Sequence, residues 1–492
     1  MKNLTLILGV TVTIIFLIIL DPILILLLLI ANLLIVAIKG SFQLRFSLFK
    51  PSFLRKTNLN RESFISIHIA THNEPPDILL KTLRSISRIK YNNYEVIVVD
   101  NNTKDDAVWK PIQAYCKKVG KKFRFFHVDN LVGFKAGALN FAKEHINLKA
   151  EFIAIIDADY EIASNFMNEV SRYFTNTNIA FVQFPQAYKN IDKSNIGLEL
   201  EYRHFFQTYM NMANYYKCVT STGTLSIFRV DILKKIGYFK LNYITEDAEI
   251  GLRLNQQGYQ GLYVPKVIGR GLIPFDISAY KKQKLRWALG NIQILQHSIL
   301  NVITDKNLNM RQKIGLLAQL SAWMNFTMLP ILTIIAAAMV RLIPDSNMFF
   351  FRPILIISGF TLIVFLLLKI ASFYSVFHGK YSIFVVLKAF LVHIGTGSIY
   401  SLTAFRLFIK STYIFERTNK FILPETTFAV LHNVLFELAI GIFSLALCIY
   451  HLLAQRFMMA FILLIVSVIY FAVIYVLKEL KPTKRLSAKL FD

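Results

Sequence analysis

Two aspartates separated by a single residue follow an apolar run in the middle of the chain. The run 152–156 has the composition of a buried strand, and Asp157 and Asp159 come directly after it. Two carboxylates this close repel each other unless a cation is present, and their oxygens suit Mg²⁺ or Mn²⁺. One aspartate after a strand is more often a cap or turn residue, but the pair indicates a metal site that bridges to phosphate oxygens.

Other charged residues could act with this pair. Asp100 ends the apolar run VIVVD, and Asp247 lies in YITEDAEIGLRL, although each could simply cap a turn. In KKQKLRWALG, residues 281–290, Arg286 could bind a diphosphate and Trp287 could stack on a sugar. The same segment fits a basic amphipathic helix at a membrane surface, and both interpretations stay open.

Predicted strands and helices alternate along 63–300, and these elements must position the charged residues. Strand candidates are 64–70, 94–99, 123–128, 152–156 and 179–184, and helical patterns separate most of them. This alternation predicts a parallel, doubly wound α/β sheet. Ligands bind such sheets at the carboxyl ends of the strands, so Asp157 and Asp159 lie where a ligand would bind.

Apolar residues crowd into 4–38 and again beyond 317, which predicts an integral membrane protein with one inserted globular domain. The first run is too long for one span, and Asp21 and Pro22 interrupt it, so we expect a transmembrane hairpin over 1–40 and a linker over 41–62. A cleaved signal peptide would have a shorter apolar core. Flanking basic residues place the globular domain, 63–275, in the cytoplasm of a multi-pass plasma- or inner-membrane protein.

The C-terminal region follows interfacial helices predicted over 276–316 and occupies 317–492. It has four long apolar runs, at roughly 317–340, 351–374, 427–453 and 457–477. A fifth run, 382–409, contains interrupting polar residues, and we interpret it as an interfacial segment. With six spans, the basic tail and the segment 410–421 both lie in the cytoplasm. If the fifth run also crossed the membrane, there would be seven spans, and the tail and the segment would lie on opposite sides.

Charge and cysteine content narrow the class of protein. The chain has 492 residues and a net charge of +25, which fits nucleic acid, an anionic membrane face or phosphorylated substrates. Nucleic-acid motifs are lacking, so no nucleic-acid partner is expected, whereas membrane lipid is. The cysteines, Cys116, Cys218 and Cys448, are too far apart to suggest a disulfide framework or a zinc site.

Four motifs in order resemble the membrane-integrated family 2 glycosyltransferases, the group of cellulose, chitin and hyaluronan synthases. They are the strand-end Asp100, DAD at 157–159, TED at 245–247 and QKLRW at 283–287. Each motif alone is weak, but their order and spacing match over 64–290. The resemblance implies a GT-A-type α/β domain inserted between transmembrane helices, and an inverting hexosyltransferase that uses a nucleotide-diphosphate sugar.

The resemblance also implies roles for individual residues. Asp247 would be the general base that deprotonates the acceptor hydroxyl, Asp157 and Asp159 would hold metal and diphosphate, and Arg286 would stabilise the leaving group. The other implied donor-binding residues are Thr71, His72, Glu74, Asp100 and Lys135. The implied acceptor-binding residues are Gln186, Gly223, Thr224, Glu246, Gln283 and Trp287. His72 departs from the pattern, because tyrosine is common at its position in the family.

A last resemblance lies near the C-terminus. The segment 411–421 is similar to the FxVTxK gating loop of cellulose synthases through Phe415, Thr418 and Lys420, although Arg417 replaces the valine. The alternative is a basic loop between membrane elements. Only a cytoplasmic loop could reach the donor site.

Three functions therefore compete. The resemblance favours a processive synthase that elongates a β-glycan from a UDP-sugar, with UDP-glucose as the expected donor, and translocates the product through its own helices. The first alternative is a transferase that glycosylates a membrane lipid once. The second is an inactive transport or scaffold protein. The donor sugar, the linkage and any accessory subunits stay open.

Overall fold

The computed structural model describes residues 22–48, 63–167, 171–174, 176–274, 276–322, 348–397 and 432–479, together with 333 and 337. Helix α1 (Pro22–Leu48) precedes the α/β domain. The elements of that domain are β1 (Phe64–Thr71), α2 (Pro76–Ser87), β2 (Tyr94–Asn101), α3 (Asp106–Val119), β3 (Phe123–Val128), α4 (Phe134–Lys143), β4 (Ala150–Ile155), β5 (Glu161–Ile162), β6 (Ile179–Gln183), α5 (Ile196–Phe205), α6 (Asn211–Tyr215), β7 (Ser226–Arg229), α7 (Val230–Ile236), α8 (Glu246–Gln256), β8 (Gln260–Tyr263) and β9 (Gly269–Arg270). The helices that follow are α9 (Ile277–Thr304), α10 (Met310–Leu320), α11 (Met348–Phe377), α12 (Ile383–Gly395), α13 (Leu435–Leu453) and α14 (Phe457–Lys478).

A seven-stranded sheet forms the centre of the domain, in the order β3-β2-β1-β4-β7-β6-β8. All five predicted strands are confirmed, with ends that differ by no more than a few residues. The expectation of a wholly parallel sheet is wrong at β7, which pairs antiparallel with β4 and with β6. This strand has only four residues, too few to give a clear period in the sequence.

Apolar side chains cover both faces of the sheet. On one face, strand residues such as Ile67 and Val98 pack with Leu83 of α2 and with Ile112 of α3. The other face of the sheet packs against α4, α7 and α8. Because the sheet is covered on both faces, a polar ligand can reach it only at its edges and at the strand ends.

Adjacent strand ends bring the polar motifs together. β1 and β2 pair in parallel, with Thr71 opposite Asp100, and β4 pairs in parallel with the other side of β1. Asp157 follows the last residue of β4 by two positions. The strand-end residues of three neighbouring strands therefore lie at the same edge of the sheet.

Three of the four long apolar runs in the C-terminal region are helices in the described residues. Three described helices are long and apolar enough to cross a membrane, Ile356–Phe377, Leu435–Leu453 and Phe457–Lys478. α1 extends to Leu48, eight residues into the segment expected to be a linker. Most of the run 317–340 and the first half of the predicted hairpin lie outside the described residues, so six spans stay a prediction. α12 has 13 residues, short of the ~20 that a span requires.

Candidate active site

A cavity of about 270 Å³ opens at the carboxyl ends of β1, β2 and β4. Thirteen of the residues predicted from the sequence line it, and they include residues of the DAD, TED and QKLRW motifs. They are Thr71, His72, Glu74, Lys135, Asp157, Asp159, Gln186, Gly223, Glu246, Asp247, Gln283, Arg286 and Trp287. The fold thus gathers residues more than 200 positions apart in the sequence around one space.

Two predicted residues do not line this cavity. The Asp100 carboxylate is buried, accepts a hydrogen bond from Thr103 Oγ1 at 2.7 Å, and lies 2.7 Å from His127 Nδ1. Thr224 is also buried, and its hydroxyl accepts a hydrogen bond from the backbone N–H of Asp157 at 3.0 Å. Both side chains therefore support the residues that line the cavity. Their polar atoms already form hydrogen bonds with other protein groups. Phe415, Thr418 and Lys420 lie outside the described residues.

Lys135 lines the cavity beside the carboxylates. Its Nζ lies 2.5 Å from Asp157 Oδ1. A methyl group added to Gly223 would lie 3.4 Å from the same Nζ and 2.9 Å from Asp247 Oδ2. Gly223 also has a positive φ of 85°, which side-chain-bearing residues rarely adopt. Glycine at this position therefore keeps open the space between the lysine and the predicted base.

Helix α8 positions the acidic pair of the TED motif in its first turn, where helix N-terminal amides favour negative charge. Burial raises the pKa of Asp247, and Lys135 and the nearby backbone N–H groups only partly offset this effect. Burial and the neighbouring Asp247 charge raise the pKa of Glu246 to about 7. A carboxylate with a raised pKa is a better proton acceptor near neutral pH than an exposed one.

The charge on Lys135 also responds to this environment. Burial disfavours the charged ammonium, but Asp157, Glu246 and Asp247 outweigh that effect and raise the pKa of Lys135. The lysine is therefore a permanent cation near neutral pH. A cation in this position can bind an anionic group such as a diphosphate.

The DAD residues suit a divalent ion that is bound partly by the protein and partly by the substrate. Asp157 is 38% exposed, whereas Asp159 is buried and its Oδ2 accepts a hydrogen bond from the Leu272 N–H at 3.1 Å. Among the described residues, no cluster of three or more His, Cys, Asp or Glu side chains could hold a metal by itself. Mg²⁺ commonly uses one or two carboxylates together with phosphate oxygens, so the two aspartates suit an ion that arrives with a diphosphate.

The rim of the cavity at β1 and β2 contains Asn101 and Phe134, which were not predicted from the sequence. His72 Nδ1 lies 2.6 Å from the Asn101 carbonyl oxygen, and Asn101 Nδ2 donates to the Phe134 carbonyl at 2.8 Å. Phe134 lines the cavity, is 50% exposed and has a positive φ of 50°. The only available signal was its place before Lys135 in GFKAGALN.

The QKLRW segment forms part of helix α9, and Trp287 borders a second, smaller cavity of about 60 Å³. Asp247 and Gln186 border both cavities, so the predicted base faces each of them. The second cavity also contacts Lys284, Tyr202 and other residues that sequence reasoning missed. Lys284 lies within the QKLRW motif, but Tyr202 comes from α5, and the motif alone does not show that the two side chains meet.

Two protein families match parts of this chain. Residues 62–290 match the family described as glycosyltransferase like family 2, and residues 229–387 match the cellulose synthase family. The chain is 27% identical over 229 residues to probable glucomannan 4-beta-mannosyltransferase 4 of Oryza sativa subsp. japonica, covering 45% of this chain and 41% of that protein. It is 26% identical over 335 residues to the UDP-forming cellulose synthase catalytic subunit of Pseudomonas fluorescens, covering 66% and 43%. The chain thus spans about two fifths of the length of these relatives.

A solved structure shows the same fold. The mannosyltransferase from Pyrobaculum calidifontis, in complex with GDP-mannose and Mn²⁺, superposes with a TM-score of 0.53 at 15% sequence identity. The match covers 79% of this chain and 99% of that protein. At this identity the likeness shows the fold alone, which is the GT-A type.

Proposed function

We propose that this chain, a cellulose synthase-like family 2 glycosyltransferase, transfers a hexose with inversion from a nucleoside-diphosphate sugar to a growing β-glycan. The observation that carries the proposal is the junction of the two cavities at Asp247. The larger cavity has cations and carboxylates suited to a donor, and the smaller one has aromatic and hydroxyl side chains suited to a sugar acceptor.

The donor would occupy the larger cavity. His72 and Glu74, at the end of β1, would contact the nucleoside, and Lys135 and Arg286 would bind the diphosphate. Asp157 and Asp159 would hold a divalent ion, which neutralises charge on the departing diphosphate when bound. UDP-glucose is the first donor to test, and GDP-mannose is the second because some relatives are named as mannosyltransferases.

The acceptor would approach from the side of the smaller cavity. Asp247 would take the proton from the acceptor hydroxyl while the acceptor oxygen forms a bond to the anomeric carbon. The bond from that carbon to the diphosphate breaks on the opposite face, which inverts the configuration. Arg286 and Lys135 would stabilise the negative charge that develops on the diphosphate. Trp287 would hold the acceptor sugar against its ring.

Processive transfer and translocation form the finer part of the proposal. Gln319 of α10 and Asn291 of α9 border the smaller cavity, so the acceptor side faces the helices that lead toward the membrane region. A glycan that grows there could be passed to the membrane helices. In this proposal the α/β domain is cytoplasmic and the segment 411–421 closes over the donor site.

Product size tests the proposal. Purified protein in detergent is incubated with Mn²⁺ or Mg²⁺ and radiolabelled UDP-glucose, GDP-mannose or UDP-N-acetylglucosamine, and labelled products are separated by gel and chromatography. A long, glycanase-sensitive polymer is expected. A small product that partitions into organic solvent would instead establish single transfer to a lipid. No transfer from any donor, by protein that still binds nucleoside diphosphate, would contradict the proposed reaction.

A further inference from the structure

The helix face behind Trp287 contains a buried cation. Lys284 is 1% exposed and its Nζ lies 2.6 Å from Glu201 Oε2, whose side chain is 5% exposed. Tyr280 OH donates to the same Glu201 oxygen at 3.2 Å. On α9, Lys284 follows Tyr280 by four residues and precedes Trp287 by three, so all three side chains lie on one face of the helix.

Three aromatic rings surround this ammonium group. Its nitrogen lies 4.0 Å from the ring centroid of Tyr202, 5.3 Å from that of Trp287 and 5.5 Å from that of Tyr280. The Tyr202 and Trp287 rings also meet edge to face, with centroids 5.7 Å apart and an interplanar angle of 75°. This arrangement is an aromatic cage, filled here by a lysine of the protein itself.

The cage contacts both side chains of α9 that are expected to bind the acceptor. Trp287 forms one wall of it, and Tyr202 OH donates a hydrogen bond to Gln283 Oε1. Glu201 and Tyr202 belong to α5, which packs against α12, and His393 Nδ1 of α12 lies 3.4 Å from Glu201 Oε1. Trp287 therefore packs against a buried contact between α9 and α5.

Buried ion pairs are seldom worth more than apolar residues of the same shape, so stability alone does not account for this one. We propose that Lys284 is a positioning residue, which with Glu201 fixes the ring of Trp287 in the orientation that binds the acceptor sugar. The inference rests on the proposed function in one respect, because it assigns the acceptor to Trp287. Lys284 itself contacts neither the donor cavity nor the reacting atoms.

The test separates positioning from folding. Lys284→Met alone leaves Glu201 charged and buried, so we expect lower thermal stability. The double variant Glu201→Gln/Lys284→Met removes both charges and should regain most of that stability, but it still lacks the cation beside Trp287. We expect its acceptor KM to rise about tenfold or more, the size of one desolvated cation–π contact, with an unchanged donor KM. Lys282→Met, on the exposed side of the same helix, removes an equal charge and should change neither KM.

Fluorescence gives a readout that does not need activity. The chain has three tryptophans, so Trp109→Phe with Trp323→Phe leaves Trp287 as the sole emitter. In this background the double variant should show increased acrylamide quenching of Trp287. If it does not fold, Glu201→Gln/Lys284→Gln provides the same test, because it replaces the ion pair with two neutral amides that can still hydrogen-bond. A folded variant with unchanged quenching and unchanged acceptor KM would overturn the inference. Wild-type protein that transfers no sugar would instead refute the proposed function, and the quenching result would still decide whether Lys284 positions Trp287.

Discussion

Neutralising Lys135 should change the pH dependence of transfer in a defined direction. Burial already raises the pKa of Asp247, and the ammonium of Lys135 lowers it. In Lys135→Met the lowering effect is lost, so the pKa of Asp247 rises further. The proposed base is then protonated at a higher pH, and we expect the acidic limb of the activity profile to move to higher pH.

The geometry sets the size of this shift. A methyl group on Gly223 would lie within 3.4 Å of both Lys135 Nζ and Asp247 Oδ2, so the two charged atoms are close neighbours. Unit charges about 6 Å apart at an effective dielectric constant of about 20 interact by about 3 kcal/mol, or about 2 pH units. Both side chains are partly exposed and solvent screening reduces the interaction, so we expect a shift of about 1 pH unit.

The assay is the profile of kcat/KM for the donor against pH, because this parameter reports the pKa values of the free enzyme. Loss of diphosphate binding will lower the whole curve in Lys135→Met, but the position of the acidic limb is independent of that height. Lys135→Arg keeps the charge and should leave the limb in place. A limb that stays fixed in Lys135→Met, or moves to lower pH, would refute the electrostatic coupling of these two residues.

Three further outcomes follow from the site. Gly223→Ala places a methyl group 2.9 Å from Asp247 Oδ2, so we expect kcat to fall ~100-fold. Gly237→Ala is the control, because Gly237 has nearly the same φ but open space around it. Equal losses of kcat in both variants would indicate a general backbone effect. In Gly290→Ala the added methyl group would lie 2.5 Å from Thr245 and displace it. We expect kcat to fall, whereas the affinity for nucleoside diphosphate, measured by calorimetry, should be retained. Chelation by EDTA should abolish transfer and added Mn²⁺ or Mg²⁺ should restore it; full activity in EDTA would exclude a role for the metal.

Local sequence patterns predicted much of the fold. Strands β1 to β4 and β6 are apolar runs bounded by polar or turn residues, so their positions could be read directly. β7 could not, because it is short and its direction is set by the strands on either side. Likewise, the length of α1 depends on packing: Gly40 lies so close to α11 that an added methyl group would be 2.6 Å from Leu368.

The site was predicted less completely than the fold. Motif spacing identified thirteen of the residues that line the larger cavity, including Asp157, Asp247 and Arg286. It could not show that Asp100 is enclosed by Thr103 and His127, because one of these partners lies on another strand. Nor could it show that Lys284 is buried, since its ion-pair partner is 83 residues away in the sequence. Long-range contacts of this kind leave no local pattern.

Asp247→Asn tests the central claim most directly. This change keeps the shape of the side chain but removes the proton-accepting charge. Wild-type and variant protein are compared for transfer from radiolabelled donor, and for binding of UDP and GDP by calorimetry. We expect transfer to be lost while the nucleotide affinity and the thermal stability stay within about twofold and a few degrees of wild type. Full transfer by the variant would show that Asp247 is not the base.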